Sequence, residues 1–219
     1  MHFSIQDCFA AAWATFKRRA GFFVLLTLLA LVIDGIASGI LDAAAGNSAV
    51  MKFLSAVVHL VVQSIVGLGV TRVTLHAVDD VDAASLQDAW VPQYILPFLG
   101  ASIIFSVVVG LGFALIIIPG MILAVIFAFW PYPIAEGAGP INALSYSRMI
   151  TKGYRWKVFL LFLALILVNI VGVIALVVGL LVSIPVSALA MAHAYRVLAA
   201  LADERAHMAP PAQSEIHPG

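Results

Sequence analysis

Two long stretches without a charged residue constrain the fold of this chain more than any other feature. They cover residues 97–135 and 158–191. As a single helix, either stretch would be at least about 50 Å long at 1.5 Å per residue, whereas the hydrocarbon core of a bilayer is only about 30 Å thick. Each stretch is therefore predicted to turn once and to cross a membrane twice.

The overall composition agrees with a membrane protein. Hydrophobic residues make up 63% of the 219 residues and charged residues only 10%, which is outside the range of ordinary globular domains. The formal net charge is zero, so nothing in the composition favours a nucleic-acid partner. A single cysteine, Cys8, excludes an intramolecular disulfide and is predicted to be an inert packing residue.

The apolar segments predict an all-α, polytopic membrane bundle of six transmembrane helices, arranged as three hairpins within one domain over residues 1–203. The first uncharged stretch should break at Pro119-Gly120, because proline cannot continue a helix and glycine permits a left-handed turn. The second should break near Gly179, with Gly172 as the alternative. Residues 204–219 are predicted to form a disordered tail. The predicted spans are 21–41, 50–78, 97–118, 121–136, 157–177 and 180–200.

The distribution of basic residues predicts the orientation of these spans. With the N-terminus inside, all of the eleven Lys and Arg residues except Lys52 fall on or near one side of the membrane. An excess of basic residues marks the cytoplasmic side. Both termini are therefore predicted in the cytoplasm, and the protein in the cytoplasmic (inner) membrane of a bacterium.

A short amphipathic helix is predicted at the cytoplasmic interface before each hairpin. Ser4 and Ser85 each open a segment with an aspartate three residues later, as in a capping box, and Pro140 occupies the first position of the third helix. Three tandem units, each an interfacial helix followed by a hairpin, are the resulting hypothesis.

The third interfacial helix carries a basic face that points to membrane lipids. Arg148, Lys152 and Arg155 lie roughly opposite its aromatic residues. One role for these cations is recognition of anionic lipid headgroups. The simpler alternative is that they only anchor the membrane topology.

Four polar residues inside the predicted spans are the candidates for a functional site. Asp34 and His59 lie at nearly equal distances from the first hairpin turn, Gln63 is one turn deeper, and Asn169 is predicted at a similar level. An ionisable group in a bilayer is costly and needs a partner. The cluster is either an interhelical hydrogen-bond clasp, or a protonatable site that binds a solute.

No motif in the sequence points to catalysis. A phosphate-binding glycine loop, a His-Glu-x-x-His motif, a Gly-x-Ser-x-Gly motif and paired cysteines are all missing from it. We therefore expect no enzymatic activity, no cofactor and no metal.

Turn, cap and interface residues in the C-terminal half carry a family resemblance. They are Ile118-Pro119-Gly120, Glu136-Gly137, Pro140-Ile141-Asn142-Ala143-Leu144-Ser145, Thr151-Lys152-Gly153 and Trp156. This pattern resembles the membrane domain of bacterial glycerophosphodiester phosphodiesterases and related six-span families. The resemblance implies structural roles for Pro119, Gly120, Glu136, Pro140, Gly153 and Trp156. It implies no activity, because phosphodiesterases of that family carry a separate catalytic domain that is not expected here. Ser147-Arg148 also departs from the Ser-Trp pair usual at this point.

The sequence thus predicts a non-enzymatic accessory or scaffold protein of the bacterial cytoplasmic membrane, acting in envelope or lipid homeostasis. Its expected partners are membrane lipids, with a protein partner or a homo-oligomer as further alternatives. The competing hypothesis is a small transporter or exporter of a solute or lipid that uses Asp34 and His59.

Overall fold

The computed structural model describes residues 3–46, 48–175 and 179–208, and over these ranges the chain is helical without a β-strand. Two short 3-10 turns, Leu86–Ala89 and Pro92–Tyr94, separate the third and fourth helices. The helices are α1 Ile5–Arg18, α2 Ala20–Ala45, α3 Ala49–Asp79, α4 Ile95–Leu115, α5 Ile117–Ile126, α6 Pro131–Ala135, α7 Pro140–Ile150, α8 Arg155–Ile174 and α9 Leu180–Met208.

Six helical segments in the described part of the chain are long and apolar enough to cross a membrane. They are α2, α3, the segment ending with α4, α5 together with α6, α8, and α9. This agrees with the prediction and indicates a multi-pass membrane protein. Among consecutive helices, α2 packs against α3, α3 against α4, α4 against α5, α6 against α7, and α8 against α9.

Helix α9 is the centre of the bundle. It packs against α1, α2, α3, α7 and α8, and it is the most buried of the six candidate spans. Ala190, Ala192 and Ala194 are fully buried on it. Small residues of this kind allow neighbouring helices to approach closely, which is the main source of helix association in a bilayer.

Helix α1 forms where it was predicted, but its buried face packs on protein. The Ser4 hydroxyl accepts a hydrogen bond from the amide of Asp7 at 3.4 Å, which caps the helix N-terminus. Cys8 and Phe16 are buried, and the most extensive packing of α1 is against α9. Trp13 is 45% exposed and is left on the outer side of the helix.

The second predicted interfacial helix does not form as an amphipathic α-helix. Its cap is present, since the Asp88 carboxylate accepts a hydrogen bond from the Ser85 amide at 2.8 Å. Only a 3-10 turn over Leu86–Ala89 follows. Pro92 explains why the helix stops, because proline lacks an amide hydrogen and disfavours the helical conformation at the preceding residue.

The turn between α4 and α5 lies at Ile116, three residues before the predicted break at Pro119. Pro119 sits in the first turn of α5, where a missing amide hydrogen costs nothing because first-turn amides have no helical acceptor. Gly120 serves close packing here rather than a left-handed turn, since a Cβ on it would lie 2.5 Å from Cγ of Phe113. The predicted boundary between spans 97–118 and 121–136 was therefore wrong.

The fourth span is interrupted, whereas a continuous helix over 121–136 was predicted. Helix α5 ends at Ile126, and α6 begins only at Pro131. The Ser147 hydroxyl donates to the Ile126 carbonyl at 3.0 Å and accepts from the Phe129 amide at 3.1 Å. Thr151 donates to the same carbonyl at 3.2 Å. Ser147 and Thr151 are fully buried, so they supply the partners that a broken helix in a membrane requires.

The remaining boundaries differ little from those predicted. Helix α8 ends at Ile174 and α9 begins at Leu180, which agrees with a break near Gly179, whereas the predicted end of span five at 177 lies outside the described residues. A Cβ on Gly179 would lie 2.3 Å from the Gly172 carbonyl, so both candidate glycines are packed at this crossing. Helix α9 continues to Met208, so residues 204–208 are helical and not the start of a tail; residues 209–219 lie outside the described ranges.

Replacing Ser147 by Ala should destabilise the fold. The change leaves the buried Phe129 amide without an acceptor and removes one donor to Ile126, which should cost about 1–3 kcal/mol. Unfolding of the detergent-solubilised protein by heat or by titration with SDS measures this loss. Ser145→Ala is the matched control because Ser145 is exposed on the same helix. Equal stability of the two variants would contradict the assigned role.

Cys8 should be unreactive in the folded protein. Its side chain is 1% exposed, and burial, followed by the nearby Asp7 charge, raises the pKa of the thiol to about 11. The nucleophilic thiolate is therefore scarce at neutral pH. We expect N-ethylmaleimide to leave the protein unmodified in mild detergent at pH 7 and to label it fully in SDS, as read by intact mass. Rapid labelling of the folded protein would show that α1 detaches from α9.

Candidate functional site

The predicted intramembrane cluster lies between α2 and α3. Asp34 is fourteen residues from the first residue of α2 and eleven from its last, which places it about 21 Å and 16 Å from the two helix ends. His59 and Gln63 lie one turn apart on α3. The packing of α2 against α3 brings the three side chains together.

One carboxylate oxygen of Asp34 is the focus of the cluster. The side-chain amide of Gln63 donates to Asp34 Oδ1, and His59 Nε2 lies 3.6 Å from the same oxygen. Gln63 Nε2 and His59 Nε2 are 3.5 Å apart. The side chains of His59 and Asp34 are 35% and 38% exposed, so the cluster is only partly shielded by protein.

An aspartate beside a histidine carries a proton in either of two neutral arrangements. A carboxylate with an imidazolium and a carboxylic acid with a neutral imidazole have the same net charge. Such a pair therefore limits the cost of placing ionisable groups in the bilayer. The same arrangement places two groups that can each hold a proton 3.6 Å apart.

A small cavity adjoins Asp34 and Gln63 between α2, α3 and α9. Its volume is about 170 Å³, below the roughly 300–1,000 Å³ of most small-molecule sites. Thr27 and Thr74 also border it, but their hydroxyls donate to carbonyls of their own helices. The other polar side chains that line the cavity are those of Asp34 and Gln63, which bind each other across α2 and α3.

Asn169 belongs to a different cluster from the one predicted. Its amide donates to the Leu165 carbonyl at 2.8 Å and to the Ser187 hydroxyl at 2.9 Å, and its carbonyl accepts from Ser183 at 3.0 Å. It thus joins α8 to α9. Depth counted from helix ends placed Asn169 beside Asp34, but α8 packs mainly on α9 and not on the α2–α3 pair.

A larger ionic network joins α3, the segment after α6, and α9. Arg196 binds Asp79 through two hydrogen bonds, one of them 2.8 Å long, and donates to Glu136 at 2.5 Å. The Tyr195 hydroxyl donates to the other Glu136 oxygen at 2.5 Å, and its ring stacks on Tyr132 with centroids 4.9 Å apart. Nothing in the sequence indicated that Asp79 would share Arg196 with Glu136.

The other residues that the sequence singles out lie at a helix start, in a turn or on the exposed surface. Pro140 is the first residue of α7, and Gly153 adopts a φ of +88° in the turn before α8, a conformation that side chains with a Cβ rarely take. Trp156 is 70% exposed. The three predicted headgroup contacts are all exposed: Arg148, Lys152 and Arg155.

Among the described residues, no group of three His, Cys, Asp or Glu side chains is arranged to hold a metal ion. No family model, no curated protein and no solved structure matches this chain. The evidence that this chain is a multi-pass helical membrane protein is therefore its six long apolar helices.

Replacing Asn169 by Ala should loosen the α8–α9 pair. Ser183 would lose its acceptor and Ser187 its donor, at a cost of about 0.5–1.7 kcal/mol as measured for interhelical hydrogen bonds in membranes. Titration with SDS reports this change. Asn142→Ala is the control, because Asn142 is exposed on α7; a loss no larger than that of the control would argue against the interhelical role.

Proposed function

We propose that this protein is a non-enzymatic scaffold or accessory protein of the bacterial cytoplasmic membrane that serves envelope or lipid homeostasis. The observation that supports this proposal best is that polar side chains on different helices bind one another. Asp34 is bound from α3, Asn169 from α9, and Arg196 from two other segments. Bonds of this kind hold a membrane bundle in one arrangement, which suits a static protein that presents surfaces to partners.

The proposed orientation has both termini in the cytoplasm. Arg18 and Arg19 immediately precede α2, and Arg155 and Lys157 lie in the first turn of α8. Arg205 lies near the C-terminal end of α9. Clusters of basic residues beside spans favour the cytoplasmic side, so these positions support the proposed topology. The resemblance of residues 118–156 to a six-span membrane domain points in the same direction.

A small carrier is the second candidate, and one feature favours it. Asp34 is partly exposed and borders the cavity between α2, α3 and α9. Pro185 lies inside α9 and also lines the cavity, and a proline in a helix interior leaves one carbonyl without its helical donor. A transient opening at this point would give a proton or a small solute access to Asp34.

Substitution of Asp34 by Asn separates the two functions. The amide keeps the shape of the side chain and can still accept from Gln63, but it cannot exchange a proton. For a scaffold we expect a stability loss below about 1 kcal/mol and unchanged cross-linking to co-purifying proteins. Proteoliposomes with an internal pH dye should then show the same slow proton leak for the variant and for the unmodified protein.

Asp42→Asn is the matched control for this experiment. Asp42 lies on the same helix and is exposed, close to the α2 terminus. Proton or solute flux that is abolished by Asp34→Asn and retained by Asp42→Asn would overturn the scaffold proposal in favour of the carrier.

A further inference from the structure

An open apolar groove lies between α5 and the first turns of α8. It has a volume of about 440 Å³, within the range of small-molecule sites. One wall is a helical stripe of α5 and the other is formed by α8: Ile118, Met121, Ile122 and Val125 face Trp156 and Phe159. No acidic side chain is among the described residues that line it.

The groove exists because α5 is short and is held at its C-terminal end. Helix α5 has ten residues, about 15 Å at helical rise, and the hydroxyls of Ser147 and Thr151 bind its last carbonyl. Its outward face is left uncovered, with Ile118 64% and Ile122 50% exposed. The groove follows α5 from Ile118 to Val125, a rise of about 10 Å.

Arg155 is the charged residue at this groove. It is the first residue of α8 and is exposed, and no carboxylate in the described ranges is within ion-pair distance of it. Trp156 beside it stacks on Phe159 with ring centroids 5.3 Å apart. Arginine and tryptophan at a span terminus are the residues that favour the headgroup layer.

We propose that this groove binds one anionic phospholipid of the surrounding membrane, with an acyl chain between α5 and α8 and the phosphate on the Arg155 guanidinium. A guanidinium matches a phosphate through paired hydrogen bonds, and the N-terminus of α8 adds a favourable dipole. The apolar walls select a lipid over free phosphate, because inorganic phosphate would make no use of the isoleucine and phenylalanine side chains.

This site includes one of the three cations of the basic face that the sequence predicts, namely Arg155. Arg148 lies at a separate groove of about 240 Å³ between α4 and α7, where Phe105 and Val108 are among its neighbours, and Lys152 lines neither groove. The three cations therefore do not share one groove. The site is also distinct from the Asp34 cluster, so this proposal and the proposed function can fail independently.

Native mass spectrometry of the full chain tests the proposal. The probes are phosphatidylglycerol and phosphatidylcholine with identical acyl chains, added to the delipidated protein in mild detergent. We expect one phosphatidylglycerol to be retained in preference to phosphatidylcholine, and Arg155→Gln to weaken that preference about fivefold, the effect of one basic residue near the membrane surface. Lys152→Gln is the control and should keep the preference.

A second variant tests the acyl-chain part of the site. Ile122→Trp fills the groove from α5 and should reduce retention of both lipids while leaving Arg155 in place. Because residue 122 is exposed, the variant should fold, and its unfolding temperature checks this. Millimolar inorganic phosphate should not displace the lipid.

Three outcomes would overturn the proposal. The first is an unchanged headgroup preference in Arg155→Gln. The second is full lipid retention in a folded Ile122→Trp variant. The third is displacement of the lipid by phosphate alone, which would reveal a simple anion site.

Discussion

The packing of α9 against its neighbours is the interaction on which the rest of the structure depends. In a bilayer the hydrophobic effect does not drive helices together, so association requires close van der Waals contact and interhelical hydrogen bonds. Helix α9 supplies both, through the buried residues Ala190 and Ala194 and through the polar groups of Ser183 and Arg196. The hydrogen bonds to α8 and the ionic network around Arg196 therefore both involve α9. Helix α1 packs on it as well, which ties the N-terminal segment to the bundle.

The interruption after α5 has consequences beyond its own segment. Backbone groups released by a broken helix must be satisfied within the membrane, and Ser147 and Thr151 on the α7 segment provide the partners. These hydrogen bonds hold the α7 segment against the C-terminal end of α5. The uncovered face of the short helix is then the wall of the groove at Arg155. One local requirement for hydrogen bonding thus leads to the surface at which a lipid is proposed to bind.

Within the described part of the chain, the polar groups that join the helices are held by specific partners. Asp34 combines a hydrogen bond from Gln63 with a nearby imidazole, whereas Arg196 is shared by two carboxylates. Both arrangements reduce the cost of charge in a low-dielectric medium. They differ in their surroundings, because the Asp34 cluster borders a cavity between α2, α3 and α9. Because of this difference, the Asp34 cluster is the candidate functional site, whereas the Arg196 network is assigned a stabilising role.

The number and the approximate positions of the membrane-crossing segments could be predicted from the sequence alone. Each span must satisfy its own backbone hydrogen bonds and expose apolar side chains to lipid, so its signal is contained within about twenty consecutive residues. The Asp34–His59–Gln63 cluster was predictable for a similar reason, since the short connection between the packed helices α2 and α3 sets the level of residues on both. The Ser4 and Ser85 caps were also local signals.

Features that depend on which helices are neighbours were decided only by the tertiary structure. Counting residues from a helix end gives depth but not the neighbouring helix, so Asn169 was assigned to the Asp34 cluster although its partners lie on α9. Pro119 was compatible with a turn and with the first turn of a helix, and the packing of Gly120 on Phe113 selected the second. The break after Ile126 and the sharing of Arg196 by Asp79 and Glu136 rest on partners at least 21 residues away in sequence. Such contacts produce no periodic pattern in the sequence, because they require only that two side chains far apart in the chain come together in space.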